Sequence, residues 1–402
     1  MPVWLDEIPE RHAGPSRPRT RRWLLFLLAV MLTGIALTLW QWEAERSGFV
    51  FWFSALGLPF FCWGVLFSSR RLGYKMEQVG ADAFNLRRQA QIENETLCGQ
   101  RRVWVLDTVV QTSSGNTPNE LLTAVSRAVP STSLTAPRRG ASPVRYAALG
   151  SIHENLAVEL QVAVTGVVTR MASVVEQIPA SLTCWLQLEC DGDIEPLVQE
   201  EMMQRLAKAC GRTVHLFSGK GATGLDRWLD KHWETPGVLL VVSFSFPALP
   251  EEGSADAITM LALCNRRLAA FRHARALSRP EKSSEERLVT SLQRALLWAK
   301  KTPEALHGAW ISGPLLESGS GWHKACEENG VAFSLTTQNT CIDPALGYAG
   351  PAALWLTVAL ANAAFTEPGA QVVAAQSAAD KNDIWVAVIT QEHVAKEPQG
   401  NV

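Results

Sequence analysis

The sequence carries almost no net charge: 37 basic residues face 39 acidic ones, leaving −2 at pH 7. A chain so balanced has no global signature for nucleic acid or another polyanion. It also lacks any Cys-x-x-Cys pair and any Cys/His cluster at zinc spacing, although it holds eight cysteines. Cys62, Cys98, Cys184, Cys190, Cys210, Cys264, Cys326 and Cys341 are dispersed along the chain, as small apolar core residues are. Neither a metal nor a cofactor is expected. A GxxxxGK[ST] phosphate loop is absent too. Gly219-Lys220-Gly221 has the residues in the wrong order, and a turn before a helix accounts for it. Gly319-Ser320-Gly321 is a loop signal of equally low specificity.

Two long stretches lack charge altogether. Residues 23–42 and 48–67 each run roughly 20 residues, about the length that crosses a bilayer core. Only Glu43, Ala44, Glu45, Arg46 and Ser47 separate them, so two antiparallel helices are expected, since helices satisfy their backbone in lipid. Arg11, Arg17, Arg19, Arg21 and Arg22 precede the first run, and Arg70, Arg71 and Lys75 follow the second. The positive-inside rule then places both ends in the cytoplasm and only the tip of the hairpin outside, with the two helices in membrane lipid. Trp23, Trp40, Trp42, Phe49, Phe51 and Trp52 lie near the ends, where aromatic rings favour the headgroup zone. Gly34 and Gly57 are lone small residues and form no helix-dimerisation motif.

The organisation expected is a basic flexible arm (1–21), a transmembrane hairpin (22–67), a connecting helix (68–100), two α/β halves (101–280 and 281–392) and a disordered tail (393–402). In the first half, strands are expected at 101–110, 181–189, 212–217, 237–246 and 257–264, from dense or alternating apolar residues. Helical spacing marks 120–128, 153–177, 194–210 and 224–233. The second half repeats the order, with helices at 283–300, 321–329 and 346–365 and strands at 309–311, 331–335, 371–376 and 383–390. Helix, strand, helix, strand, helix, strand, strand occurs twice, without visible residue identity between the halves.

That order resembles the thiolase-like fold of ketoacyl synthases and thiolases, in which two such halves sandwich buried helices between mixed sheets. Asp343-Pro-Ala-Leu-Gly-Tyr-Ala-Gly-Pro-Ala-Ala353, leading into an apolar helix and two closing strands, is similar to the ketosynthase segment that opens on a Gly-His pair. The fold class expected is therefore α/β: a two-helix transmembrane hairpin followed by a duplicated thiolase-like body. The resemblance implies a nucleophilic cysteine at the start of the last helix of the first half, and two histidines. Gly219–Leu225 holds no cysteine, Tyr348 stands at one histidine position, and Ser312-Gly313-Pro314 covers the other.

Tyr348, Cys341, Ser312 and Asp343 are the expected members of a vestigial pocket, with no catalytic residue assigned. His215, Asp226 and Cys264 form a second candidate group, and His307, His323 and Cys326 a third; packing explains each more simply. The expectation is of a membrane-anchored adaptor that is not an enzyme. It resembles accessory proteins of type VI secretion systems in organisation, with a secretion effector or machine component as protein partner. A homodimer is compatible with it. The alternative is a membrane-bound acyl-transfer enzyme with a rearranged site at Cys341 or Cys326.

Overall fold

The computed structural model describes residues 5–43, 46–140, 142–150, 156–190, 194–366 and 369–391. The expected start of a helix at His153, the hairpin-turn residues Ala44 and Glu45, and the tail 393–402 lie outside them. The chain divides into two compact units, Trp4–Glu95 and the remainder from Thr96 onward.

In the N-terminal unit, α1 is Thr20–Gln41 and the second helix begins at Phe49, passes through a π-helical turn at Phe53–Gly57, and continues as α2, Leu58–Gly99. The second apolar run and the expected connecting helix are thus one continuous helix, because no proline or glycine pair interrupts 65–99. Both helices are long and apolar enough to cross a membrane. Gly34 has a use that its isolation in the sequence hid: a Cβ there would run into the ring of Pro59. Trp63 Nε1 donates to the Trp23 carbonyl at 2.9 Å across the same helix pair. Gly34→Val is expected to lower the unfolding temperature of the full chain in lipid nanodiscs, read from tryptophan fluorescence, and Pro59→Ala to restore most of it. An unchanged temperature in Gly34→Val contradicts this packing. Upstream, Asn85 and Arg88 of α2 hold the arm at Pro9 and His12.

The body contains one continuous main sheet. Its elements in chain order are β1 (Arg102–Thr112), α3 (Pro118–Arg127), α4 (Leu156–Gln177), β2 (Thr183–Cys190), α5 (Glu195–Cys210), β3 (Val214–Leu216), α6 (Gly221–His232), β4 (Gly237–Ser245) and β5 (Ala257–Cys264). Then follow β6 (Arg275–Ser278), α7 (Leu288–Ala299), β7 (Leu306–Ser312), α8 (Gly321–Asn329), β8 (Asn339–Cys341), α9 (Ala353–Ala363), β9 (Gly369–Gln376) and β10 (Ile384–Gln391). A small ribbon, Ser133–Thr135 with Val144–Tyr146, stands apart from the main sheet.

The strand order reads β8-β7-β9-β10-β6-β1-β5-β4-β2-β3. Counted within each half, both run 3-2-4-5-1. In both, the fifth strand is antiparallel to its neighbours, and β1 pairs antiparallel with β6 to join the halves. The duplication expected from element order is therefore a duplication of topology. It begins at β6, slightly before residue 281, because a four-residue strand with only Leu277 and Ala276 as apolar members leaves too little pattern to read.

Each layer follows from side-chain phase. On β2, Cys184, Leu186, Leu188 and Cys190 join the outer core under α4 and α5, while Trp185 packs into the central core. The central core buries α6 and α9 between the two half-sheets through Leu225, Trp228, Leu229, Trp355 and Val358. A third core lies under α7 and α8. Helix α4 is also long and apolar enough to span a membrane, but Leu160, Val164, Val167 and Met171 are buried against the sheet. Its apolar stripe is a core face.

Two local expectations change. The apolar residues at 331–335 are a turn, and the pairing strand lies at Asn339–Cys341, where the backbone reaches the edge of β7. The expected helix 346–365 is broken: Gly347 and Gly350 adopt positive φ of 80° and 46°, and α9 starts only at Ala353.

Candidate functional site

A cleft of about 490 Å³ opens where the two halves meet. The start of α6 lines it through Gly221 and Thr223, and the turn leading into α9 through Gly350 and Pro351. Each central helix thus presents its N-terminal end, with the partial positive charge of unpaired N–H groups, toward the same space. Leu354 and Trp385 supply apolar wall, and Tyr348 and Gln376 polar edge.

Glu189 lies in the wall of this cleft and is 5 % exposed. The two-residue period of β2 turns it inward with Trp185 and Gln187. Its Oε1 accepts from Gln187 Nε2 at 2.7 Å and from Trp355 Nε1 at 2.7 Å. Gln187 Nε2 also donates to the Gly221 carbonyl at 2.9 Å, tying β2 to the first turn of α6. Gly224 permits that approach, because a Cβ there would meet the Gln187 amide. Burial pushes the Glu189 carboxyl up to about 7, against the pull of its hydrogen bonds and of Lys220.

The sign of the resulting pH dependence is fixed. The unfolded carboxyl loses its proton near 4.5, whereas the folded one keeps it to about 7. Stability is therefore lost as pH rises between those values, by at most about 3 kcal/mol from this group. Glu189→Gln, which keeps the shape and cannot ionise, is expected to stabilise the protein at pH 8 and to leave it nearly unchanged at pH 5. Thermal unfolding at the two pH values checks this; equal shifts at both contradict it.

Of the expected pocket residues, Tyr348 reaches the cleft. Its hydroxyl donates to the Gln376 carbonyl at 3.3 Å, and burial pushes its phenol up. Ser312 and Asp343 meet beside the cleft: Ser312 Oγ donates to Asp343 Oδ1 at 2.6 Å and the Gly313 N–H to Oδ2 at 2.6 Å. Burial pushes Asp343 up to about 6, and these donors pull it down. The pair staples the end of β7 to the loop after β8. Glu317, Cys341 and Asp343 bring ligand atoms within 4.8 Å of one another. Both Asp343 oxygens already accept hydrogen bonds, and burial pushes Cys341 up to about 12, so its thiol keeps its proton at neutral pH.

Neither other candidate group assembles as a site. His215 is exposed on the edge strand β3, Asp226 is held by Arg279, and Cys264 points into the outer core. His307 and His323 are exposed, while burial pushes Cys326 up to about 12. The thiols of the alternative reading, Cys341 and Cys326, are therefore poor nucleophiles. Glu189 is the residue that sequence reasoning missed. Its signal was a carboxylate in phase with Trp185 on an alternating strand, but which phase faces the central helices is set by the sheet's packing.

The fold is thiolase-like. No family model and no curated protein matches the sequence. Among solved structures, the chain is similar to the ketosynthase from module 6 of the bacillaene synthase from Bacillus subtilis 168. Identity is 10 %, the TM-score 0.52, and 73 % of this chain and 71 % of that one are covered. A second is the PfaC ketosynthase–chain length factor, with 9 % identity, a TM-score of 0.51, and coverage of 74 % of this chain and 43 % of that one. A third, with 12 % identity and a TM-score of 0.50, is AntDE:AntF, a type II polyketide synthase acyl-carrier protein with its ketosynthase bound to the hexaketide. It covers 72 % of this chain and 99 % of that one.

These likenesses share the fold. They also overturn the expectation that the chain is not an enzyme, since the structures that share its architecture are ketosynthases. The three positions that the resemblance implied for catalytic groups do converge. Ala222 and Thr223, Pro314, and Tyr348 all line the cleft.

Proposed function

We propose that this chain is a membrane-tethered thiolase-like protein that holds a protein partner at the cytoplasmic face of a bacterial inner membrane, as an accessory of a type VI secretion system. The observation that carries this reading is the joining, in one chain, of a two-helix apolar hairpin flanked by arginines to a thiolase-like body. The short, arginine-poor turn leaves the hairpin tip outside and the body inside. The partner is then a secretion effector or a component of the machine. Deleting the chain in its host is expected to remove one effector from the secreted fraction while the machine still assembles. An unchanged set of secreted proteins overturns the reading. Protease added outside spheroplasts is expected to spare the chain beyond residue 100; digestion there overturns the topology.

A second reading, acyl transfer at a rearranged site, is favoured by Glu189. A carboxyl on β2 that burial pushes up to about 7, facing the first turn of α6 in the cleft, is placed to exchange a proton with a reacting group. Hydrolysis of a decanoyl thioester of N-acetylcysteamine, with water as acyl acceptor and decanoate and free thiol as products, lost in Glu189→Gln, tests it.

A further inference from the structure

We propose that two copies of this chain pair in parallel through the part of α2 beyond the membrane, as a left-handed coiled coil along residues 72–90. The pairing goes beyond the readings of function above and takes from them only the hairpin, which sets its parallel sense.

Leu72, Met76, Val79, Ala83, Leu86 and Ala90 follow one another at spacings of four, three, four, three and four residues. That is a strict seven-residue repeat with both core positions apolar, the pattern that keeps one stripe of a helix turned toward a partner helix. All six are exposed, Leu72 by 63 % and Leu86 by 73 %. They lie past Arg70 and Arg71, which close the apolar run, so burial in lipid does not account for them. The other face of the helix is already used by its own chain. Asn85 Nδ2 donates to the His12 carbonyl at 3.1 Å, Arg88 Nε to the Pro9 carbonyl at 2.6 Å, and Phe84 meets the His12 ring edge-on.

Two further features select a second copy as the occupant. Gly73 and Gly80 stand seven residues apart along one edge of the stripe. Glycine weakens a helix interior, and a Cβ at either position would meet nothing within 4 Å, so nothing in the single chain requires it. A second backbone running close along that edge does. The charges fit the same pairing. In a parallel, in-register dimer the residues flanking the core set Asp82 against Arg87 of the second copy and Gln89 against its Asn94, with no like charges facing. Copies anchored by the same hairpin present α2 in the same direction, and sharing one membrane raises their effective concentration. Glu93 takes the next core position, where it would meet its own copy, so the apolar seam ends there.

The test uses the full chain in lipid vesicles, with Cys62→Ser and Cys98→Ser as background. A disulfide needs Cα atoms within about 7 Å, a separation that residue 86 reaches with its own copy in the parallel register. Oxidation of Leu86→Cys with copper phenanthroline is therefore expected to shift most of the chain to double mass on a non-reducing gel. Glu77→Cys, turned away from the seam, is expected to give about tenfold less. In a second measurement, energy transfer is read between copies labelled at the C-terminus and diluted in excess lipid. The double variant Val79→Asp with Leu86→Asp is expected to abolish the transfer without changing the unfolding temperature, because both positions are exposed. Glu93→Leu lengthens the seam and is expected to keep the transfer at about tenfold greater lipid dilution. Equal crosslinking at 77 and 86, as for a stripe that lies on lipid, overturns the proposal. So does transfer that is absent in the native chain or persists in the double aspartate variant. A dimer of this kind with an unchanged set of secreted proteins upholds the pairing and removes the secretion reading, so the two fail separately.

Discussion

Arg279→Ala is expected to cost about 3–5 kcal/mol of stability, a large share of what a folded domain possesses. Arg279 is 1 % exposed, yet it is a full charge in the body. Its Nε donates to Asp226 Oδ1, one Nη to Asp230 Oδ2 at 2.7 Å, and the other to the Cys98 carbonyl at 3.0 Å. The guanidinium thereby ties the chain after β6 to α6 and to the end of α2. Truncation leaves Asp226 buried without its partner. Burial already pushes Asp226 up and Arg279 pulls it down, so without the arginine its carboxyl rises further. A raised carboxyl keeps its proton in the folded state, so the loss grows as pH climbs above the unfolded value. The destabilisation is expected to be larger at pH 7 than at pH 5, and Asp226→Asn in the Arg279→Ala background should recover part of it. Thermal unfolding of the native chain, the two single variants Arg279→Ala and Asp226→Asn, and the double variant in nanodiscs reads this. A loss below about 1 kcal/mol, or no recovery in the double variant, means the cluster is an ordinary surface pairing.

The second large effect is at Trp355. Its indole is 1 % exposed in the central core, and its Nε1 holds Glu189. Trp355→Ala removes a whole aromatic side chain from between two sheets and is expected to cost about 3–5 kcal/mol. Trp355→Phe keeps most of the volume and drops the hydrogen bond, for about 1–3 kcal/mol. The two contributions are separable by pH. Loss of the Nε1 donor favours the neutral form of Glu189, so the Phe variant is expected to be hurt more at pH 8 than at pH 5. The Ala variant loses the same donor, so the same pH-dependent part is added to a larger, pH-independent cavity penalty. Equal penalties for Phe at both pH values place the role of Trp355 in packing alone.

The patterns legible before folding were the local ones. The strand 257–264 and helix 321–329 emerge at the expected bounds, since a continuous apolar run and a helix stopped by Gly330 are set by neighbours in sequence. The thiolase-like order was legible too, because repeated element order survives when residue identity has gone. At 331–335 the same local reasoning failed, since a few apolar residues look alike in a turn and a strand until β7 offers an edge.

The site was less legible, and the reason is geometric. Tyr348 was found because it sits in a motif-like stretch, whereas Glu189 lies in an ordinary alternating strand, 159 positions before it by sequence number. By itself the sequence determined the apolar hairpin and most of the element order. Those are properties of contiguous residues. Which face of β2 would look onto the central helices, that Gly34 would meet Pro59, and that the starts of α6 and α9 would share one cleft were decided only by the tertiary structure. Each depends on a contact between segments far apart in the chain, and no local pattern encodes such a meeting.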